Sequence, residues 1–255
     1  MTDILDNTSE GVLTITLNRP TRKNALTQAM YERLAELLEQ ADNDALVRCT
    51  IIQGDANAFS AGNDIADFVN IPTAQGDPPS FRFMRAIATF SKPLVAAVCG
   101  PAVGIGTTLL FHCDIVIAGE NAAFALPFVN LGVCPEAGSS LLAPTEFGYH
   151  RAAEAFLLGE AFPAQKAQEL GLVSRVLPAA QVLPAARELA DRLAAKPLTA
   201  LVETKRLLKS GSTPAVLERI ETEGKSFLRL VGEPAAKEAF AAFMEKRKPN
   251  VEHFR

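Results

Sequence analysis

Two short glycine-bearing stretches constrain this chain more than any other feature: Phe59-Ser60-Ala61-Gly62-Asn63-Asp64-Ile65 and Gly100-Pro101-Ala102-Val103-Gly104-Ile105-Gly106. Each follows an apolar, strand-like run, Cys49-Thr50-Ile51-Ile52 before the first and Leu94-Val95-Ala96-Ala97-Val98 before the second. Glycine enters backbone conformations closed to other residues, so each stretch can turn sharply as it leaves its strand. If both turns lie at one edge of one sheet, their free N–H groups converge on a single oxygen, which is how developing negative charge is held. Taken singly, either stretch reads equally well as an ordinary turn.

The rest of the chain is built to carry such a sheet. Val12 to Leu17 is β-branched and partly alternating, and Leu26, Met30, Leu34, Leu37, Leu38 and Ala41 then recur at helical spacing. The cycle repeats with a strand over 47–53, a loop over 54–77, a helix over 79–90 and a strand over 94–99. A short helix from Gly106 to Phe111, strands at 114–118 and 123–125 and a loop over 130–138 continue it. Strand and helix alternate, so the fold class is α/β. Beyond Ser139 the pattern reads as almost wholly helical, with helices over 183–193, 198–208, 215–230 and 235–244. Pro184, Pro197, Pro214 and Pro234 are read near their starts, where a missing N–H costs little. We divide the chain into a core over 1–195 and a helical C-terminal region over 196–255 that packs on, or exchanges between, subunits.

Composition narrows the functions open to the chain. With 255 residues and 48% hydrophobic content it buries a large core without staples. Cys49, Cys99, Cys113 and Cys134 show no close pairing and read as buried thiols of a reducing compartment. A net charge of −4 argues against nucleic acid as the main partner. No uncharged run approaches the roughly 20 residues of a bilayer span, and the start carries no basic region ahead of an apolar one. The final Glu252-His253-Phe254-Arg255 is no Ser-Lys-Leu address, so a cytoplasmic location is expected.

The pattern Phe-Ser-Ala-Gly-x-Asp-Ile, the later Cys99-Gly-x-Ala-x-Gly-x-Gly run, and Leu17-Asn18-Arg19-Pro20 with Asn24-Ala25-Leu26 together resemble the crotonase, or enoyl-CoA hydratase/isomerase, superfamily over nearly the whole chain. The resemblance implies a spiral core of repeated ββα units, a C-terminal region engaged in trimer formation, and a homotrimer or dimer of trimers. It implies an acyl-CoA thioester as substrate and no separate cofactor, coenzyme A being part of that substrate. Matched by position, the amides of Asn63 and Ile105 become the paired donors to the thioester oxygen, with Ala61, Gly62, Ile65, Gly104 and Gly106 shaping the turns. Asp64, in the same matched segment and counted with the substrate-binding residues, reads as a brace for the loop rather than a reactant. Arg22, Lys23, Ala25 and Leu26 match the family loop at the nucleotide end of coenzyme A, although a solvated charged turn explains Arg22 and Lys23 as well.

Glu136, in Cys134-Pro135-Glu136-Ala137-Gly138-Ser139-Ser140, sits among small and apolar neighbours that raise a carboxyl pKa toward that of a useful base. By position alone it reads as a helix-start glutamate. The likeness of Pro-Glu-x-x-Ser-Ser to Δ3,Δ2-enoyl-CoA isomerases of the peroxisomal type makes it instead the catalytic acid and base. Family hydratases carry two carboxylates at places held here by Thr108 and Phe128, neither of which transfers protons near neutral pH. The expected reaction is therefore a double-bond shift from 3-enoyl-CoA to trans-2-enoyl-CoA in fatty-acid β-oxidation. Hydration, another family lyase or hydrolase reaction, or non-catalytic acyl-CoA binding stand as the alternatives.

Other candidates carry less. His112, Cys113 and Asp114 are adjacent and point different ways, so we expect packing and no metal site. Gly104-Ile105-Gly106 lacks the third glycine of a dinucleotide loop. His150, His253, Ser139 and Ser140 suggest surface or capping roles. Phe68, Phe81, Phe83, Met84 and Phe90 border the family's acyl tunnel or pack the core, and Lys237, Lys246, Arg247 and Lys248 meet CoA phosphates of a neighbouring subunit or lie on a helix surface.

Overall fold

The computed structural model describes residues 2–68 and 78–254, and its N-terminal hairpin forms around a two-residue turn. Glu10 and Gly11 both take positive φ (52° and 79°), the turn whose twist suits paired antiparallel strands. It joins β1 (Ile4–Ser9) to β2 (Val12–Leu17). After α1 (Gln28–Asn43), whose first turn is capped by Thr27 Oγ1 on the Met30 amide, comes β3 (Cys49–Gln53). Then follow α2 (Ile65–Phe68), α3 (Pro79–Thr89), β4 (Leu94–Val98), β5 (Pro101–Val103), α4 (Ile105–Thr108), β6 (Ile115–Gly119) and β7 (Ala123–Ala125). The remainder comprises α5 (Ser139–Phe147), α6 (Tyr149–Leu158), β8 (Phe162–Pro163), α7 (Ala164–Glu169), β9 (Arg175–Leu177), α8 (Ala179–Ala194), α9 (Leu198–Lys209), α10 (Thr213–Val231) and α11 (Pro234–Met244).

The larger sheet runs β1-β2-β3-β4-β6-β9, parallel except at its first edge, and the smaller runs β5-β7-β8. Both faces of the larger sheet are covered, which is why its central strands read as unbroken apolar runs. Val12, Cys49, Ile51, Val95, Ala97 and Ile117 face Val182, Ala186 and Ala190 of α8. Leu13, Ile15, Ile52, Leu94, Ala96 and Val98 face the main core with α1 and α3. The chain passes from the larger sheet into the smaller layer on consecutive turns: β3 to Ser60, which bridges Ala102, then β4 to β5, then β6 to β7. Helices α1, α3 and α4 provide the returns, so the α/β spiral of repeated strand–strand–helix units is present.

Four strands escaped the sequence reading. β1 exposes every side chain but that of Ile4, β5 lies within the stretch read as a turn, and β5, β8 and β9 are only two or three residues long, too short for any periodicity. The stretch after Ser139 is therefore helical but interrupted by strands. Pro184 is also corrected: α8 begins at Ala179, so this proline lies inside the helix.

Candidate active site

Main-chain hydrogen bonds hold the two glycine-bearing stretches side by side. The Ser60 and Phe59 amides donate to Pro101 O (3.0 and 3.2 Å), and the Val103 amide donates to Ser60 O (2.9 Å). A Cβ at Gly106 would stand 2.7 Å from Ser60 O, and one at Gly62 would stand 2.7 Å from Val103 O, so this approach needs glycine at both places. Gly62 (φ 89°) and Gly104 (φ 54°, ψ −121°) turn the chain immediately ahead of Asn63 and Ile105. The amides of Asn63 and Ile105 donate to no acceptor among the described residues, while those of Gly62, Asp64 and Gly104 are all engaged. Ile105 opens α4, whose first N–H groups are left free by helix geometry.

The loop over residues 19–26 is the brace. Buried Asn24 (φ 55°) donates from Nδ2 to Ala58 O and Phe59 O and accepts the Arg19 amide at Oδ1. Lys23 O accepts the Ala61 amide, and Ser60 Oγ donates to Asn24 O. Leu26 is buried, with its N–H given to Gly62 O and its carbonyl taken by the Asp64 amide, so it serves as scaffold. Ala25 donates to Arg22 O and accepts Arg19 Nη1. The Asp64 carboxylate is likewise occupied, by Arg19 at 2.6 Å and by the Ala66 and Asp67 amides at the start of α2. Arg19 and those amides hold its proton affinity below the usual carboxylate range, against partial burial, which alone would raise it. Arg22 and Lys23 lie exposed on this loop.

A cavity of about 310 Å³ opens against the two stretches. Ala61, Gly62, Asn63, Ile65, Gly104 and Phe128 belong to its wall, and α10 and α11 of the same chain complete it with Phe227, Phe240 and Phe243. Arg247 also reaches this wall, held by Glu238 and Glu245, so the C-terminal helix closes its own chain's cavity. Phe81, Phe83, Met84 and Phe90 are not wall residues: Phe83 packs on Tyr31 (5.6 Å between centroids), Phe81 lies against Gly224, and Phe90 lies under Lys205 Nζ. The side chains of Phe68 and His253 lie outside the described residues.

Glu136 is 6% exposed, and its Oε1 has no hydrogen-bond partner among the described residues. Burial, reinforced by the nearby Glu223 carboxylate, pushes its pKa up to about 8, while the Asn63 side-chain amide opposes the rise. Glu136 is not itself a wall of the cavity; Asn63 is, and its side chain is the group that meets Glu136. Thr108 is fully buried with its Oγ1 unpartnered among the described residues, and Phe128 packs on Phe156 (6.1 Å between centroids).

The supports of Glu136 were largely missed in the sequence. Ala137 and Gly138 both take positive φ (60° and 71°) between Glu136 and α5, a conformation that is strained at Ala137 and free at Gly138. His112 Nε2–H donates to Ala137 O at 2.7 Å, and burial lowers the His112 pKa to about 4, leaving the ring neutral. Glu223 spans the start of α5, accepting the Gly138 amide at 2.6 Å and the Ser140 amide at 2.8 Å. A signal for Glu223 existed: it falls in the buried stripe Val216, Ile220, Glu223, Phe227, where a carboxylate demands buried donors. Tyr31, fully buried on α1, donates its hydroxyl to Asn63 Oδ1.

The family model described as enoyl-CoA hydratase/isomerase matches residues 7–253. A 2,3-dehydroadipyl-CoA hydratase of Escherichia coli K12 is 35% identical over 252 residues, 98% of each chain. A 1,2-epoxyphenylacetyl-CoA isomerase of the same organism is 36% identical, covering 96% of this chain and 97% of its own. Among solved structures, that of Pseudomonas aeruginosa OdaA superposes with a TM-score of 0.92 at 45% identity, covering 96% of this chain and 99% of the other. An enoyl-CoA hydratase/isomerase from Pseudoalteromonas atlantica T6c gives 0.93 at 36% identity, over 98% and 99%.

Proposed function

The chain belongs to the enoyl-CoA hydratase/isomerase family, and from that premise we propose that it is a Δ3,Δ2-enoyl-CoA isomerase working with a single carboxylate. The observation that carries this reading is Glu136: a buried carboxyl raised to about 8, with an oxygen that has no partner among the described residues, beside the side chain of Asn63, whose amide has no acceptor among them either. The thioester oxygen lies between the Asn63 and Ile105 amides. Glu136 takes a proton from carbon 2 of a 3-enoyl thioester, the electron pair moves into the carbonyl as a dienolate, and the two amides hold the charge formed on oxygen. The same carboxyl returns the proton at carbon 4, leaving the double bond between carbons 2 and 3 and the enzyme unchanged. Such paired donors are each worth roughly a hundred- to thousand-fold in rate.

One carboxyl suffices because nothing is added or lost. Hydration would need a second proton-transferring group for water, and the positions that resemble the hydratase carboxylates hold Thr108 and Phe128. In this reading the protein acts on unsaturated acyl-CoA in β-oxidation as a homotrimer or dimer of trimers, and Arg22 and Lys23 meet the CoA phosphates.

The test uses the pure protein with 3-hexenoyl-CoA and, separately, trans-2-hexenoyl-CoA, following the conjugated thioester absorbance. We expect a rise with the first, abolished in Glu136→Gln while CoA-ester binding persists. Loss of absorbance with the second would make the protein a hydratase, and silence with both would make it a binder.

A further inference from the structure

The mechanism leaves one buried phenol unexplained. Tyr31 is fully enclosed on α1, with its ring tilted against that of Phe83, and its hydroxyl donates to Asn63 Oδ1. A carboxamide has one acceptor end and one donor end. With the tyrosine hydroxyl fixing the oxygen, the NH2 end is the one left to reach the Glu136 carboxyl, whose Oε1 has no hydrogen-bond partner among the described residues. Asn63 thus has two separable parts: a main-chain N–H without an acceptor among the described residues, on a residue of the cavity wall, and a side chain held at its oxygen by Tyr31.

We propose that Tyr31 is a positioning residue which, through the Asn63 side chain, orients the Glu136 carboxyl. This rests on the isomerase reading only for the rate it sets; the Tyr31–Asn63 hydrogen bond and the burial of Glu136 stand on geometry. The titratable and charged groups around Glu136 are Glu223 and Arg219 from α10, Cys134 from its own loop, His112 behind Ala137 and Tyr31 itself. Of these, Tyr31 is the one that bonds the group meeting Glu136.

The experiment titrates Glu136 directly, by its protonated carboxyl stretch in infrared difference spectra of the free protein, assigned with Glu136→Gln. Tyr31→Phe, which removes one oxygen, should move the midpoint upward by about one pH unit, as should Asn63→Ala, which keeps the main-chain amide. In the double variant Tyr31→Phe should add nothing, since its effect passes through Asn63. With 3-hexenoyl-CoA, Tyr31→Phe should lower kcat about tenfold with little change in KM. An unmoved midpoint in Tyr31→Phe, or an equal shift with Asn63 already truncated, would overturn the link. Absence of isomerase turnover in the wild-type protein would overturn the reaction assignment while leaving the titration to decide this proposal.

Discussion

At the scale of the residue, Glu136 is a carboxyl kept at a cost in stability. The unfolded chain releases this proton near 4.5, the folded chain near 8, so the native state binds the extra proton between those values. Stability contributed by the raised group is fully present below 4.5 and is lost as pH rises through about 8. The slope is at most about 1.4 kcal/mol per pH unit. Glu136→Gln should therefore raise the melting temperature at pH 8, with the gain shrinking toward pH 5; equal gains at both would contradict the raised pKa. For the wild type, kcat/KM for a 3-enoyl-CoA should rise with pH through an acid limb near 8, where the base form appears. His112 acts oppositely: its pKa is lowered to about 4, so acidification from 6.5 toward 4 favours the unfolded state.

At the scale of the element, the start of α5 and the two glycine-bearing stretches fix the geometry. Glu223 accepts two amides there and stands as a like charge beside Glu136. Glu223→Gln should lower the acid limb of the activity profile by removing that repulsion. It should also cost about 1–3 kcal/mol of stability, read by urea unfolding, because one of the two amides loses its charged partner. Gly106→Ala places a methyl 2.7 Å from Ser60 O and must pry the stretches apart. We expect a loss of about 1–3 kcal/mol and a fall in kcat of about a hundredfold, checked by denaturation and turnover of the same preparation. Much of this level was legible in the sequence, because strand, turn and glycine are local patterns. Glu223 was not: its partners lie more than 80 residues away, and only its place in an apolar stripe hinted at them.

At the scale of the whole molecule, the cavity depends on chain segments far apart in sequence. Ala239, Phe240, Ala242 and Phe243 of α11 close a wall opened by Ala61, Gly62, Asn63, Ile65, Val103 and Gly104. Removing residues 234–255 should raise KM for acyl-CoA about tenfold, roughly 1.4 kcal/mol of binding, with the Glu136 titration unchanged. A KM equal to that of the full chain would show that α11 contributes nothing to the site. The aromatic residues of α3 illustrate why such assignments resist sequence reading: Phe81, Phe83, Met84 and Phe90 have helical spacing that suits a tunnel or a core equally. Packing against Tyr31, α10 and Lys205 puts them in the core.

The sequence by itself determined the α/β alternation and put glycines immediately ahead of Asn63 and Ile105, because each is written in a few consecutive residues, whereas Glu136 stood out from a helix-start glutamate only through the family resemblance. Only the tertiary structure decided what surrounds that carboxyl. A buried acid takes its pKa from distant groups brought within reach: Asn63 and Glu223 act on Glu136 from two separate segments of the chain, and Tyr31 bonds Asn63 from a third. Desolvation and coupled hydrogen bonds are properties of that convergence, and no local pattern records them.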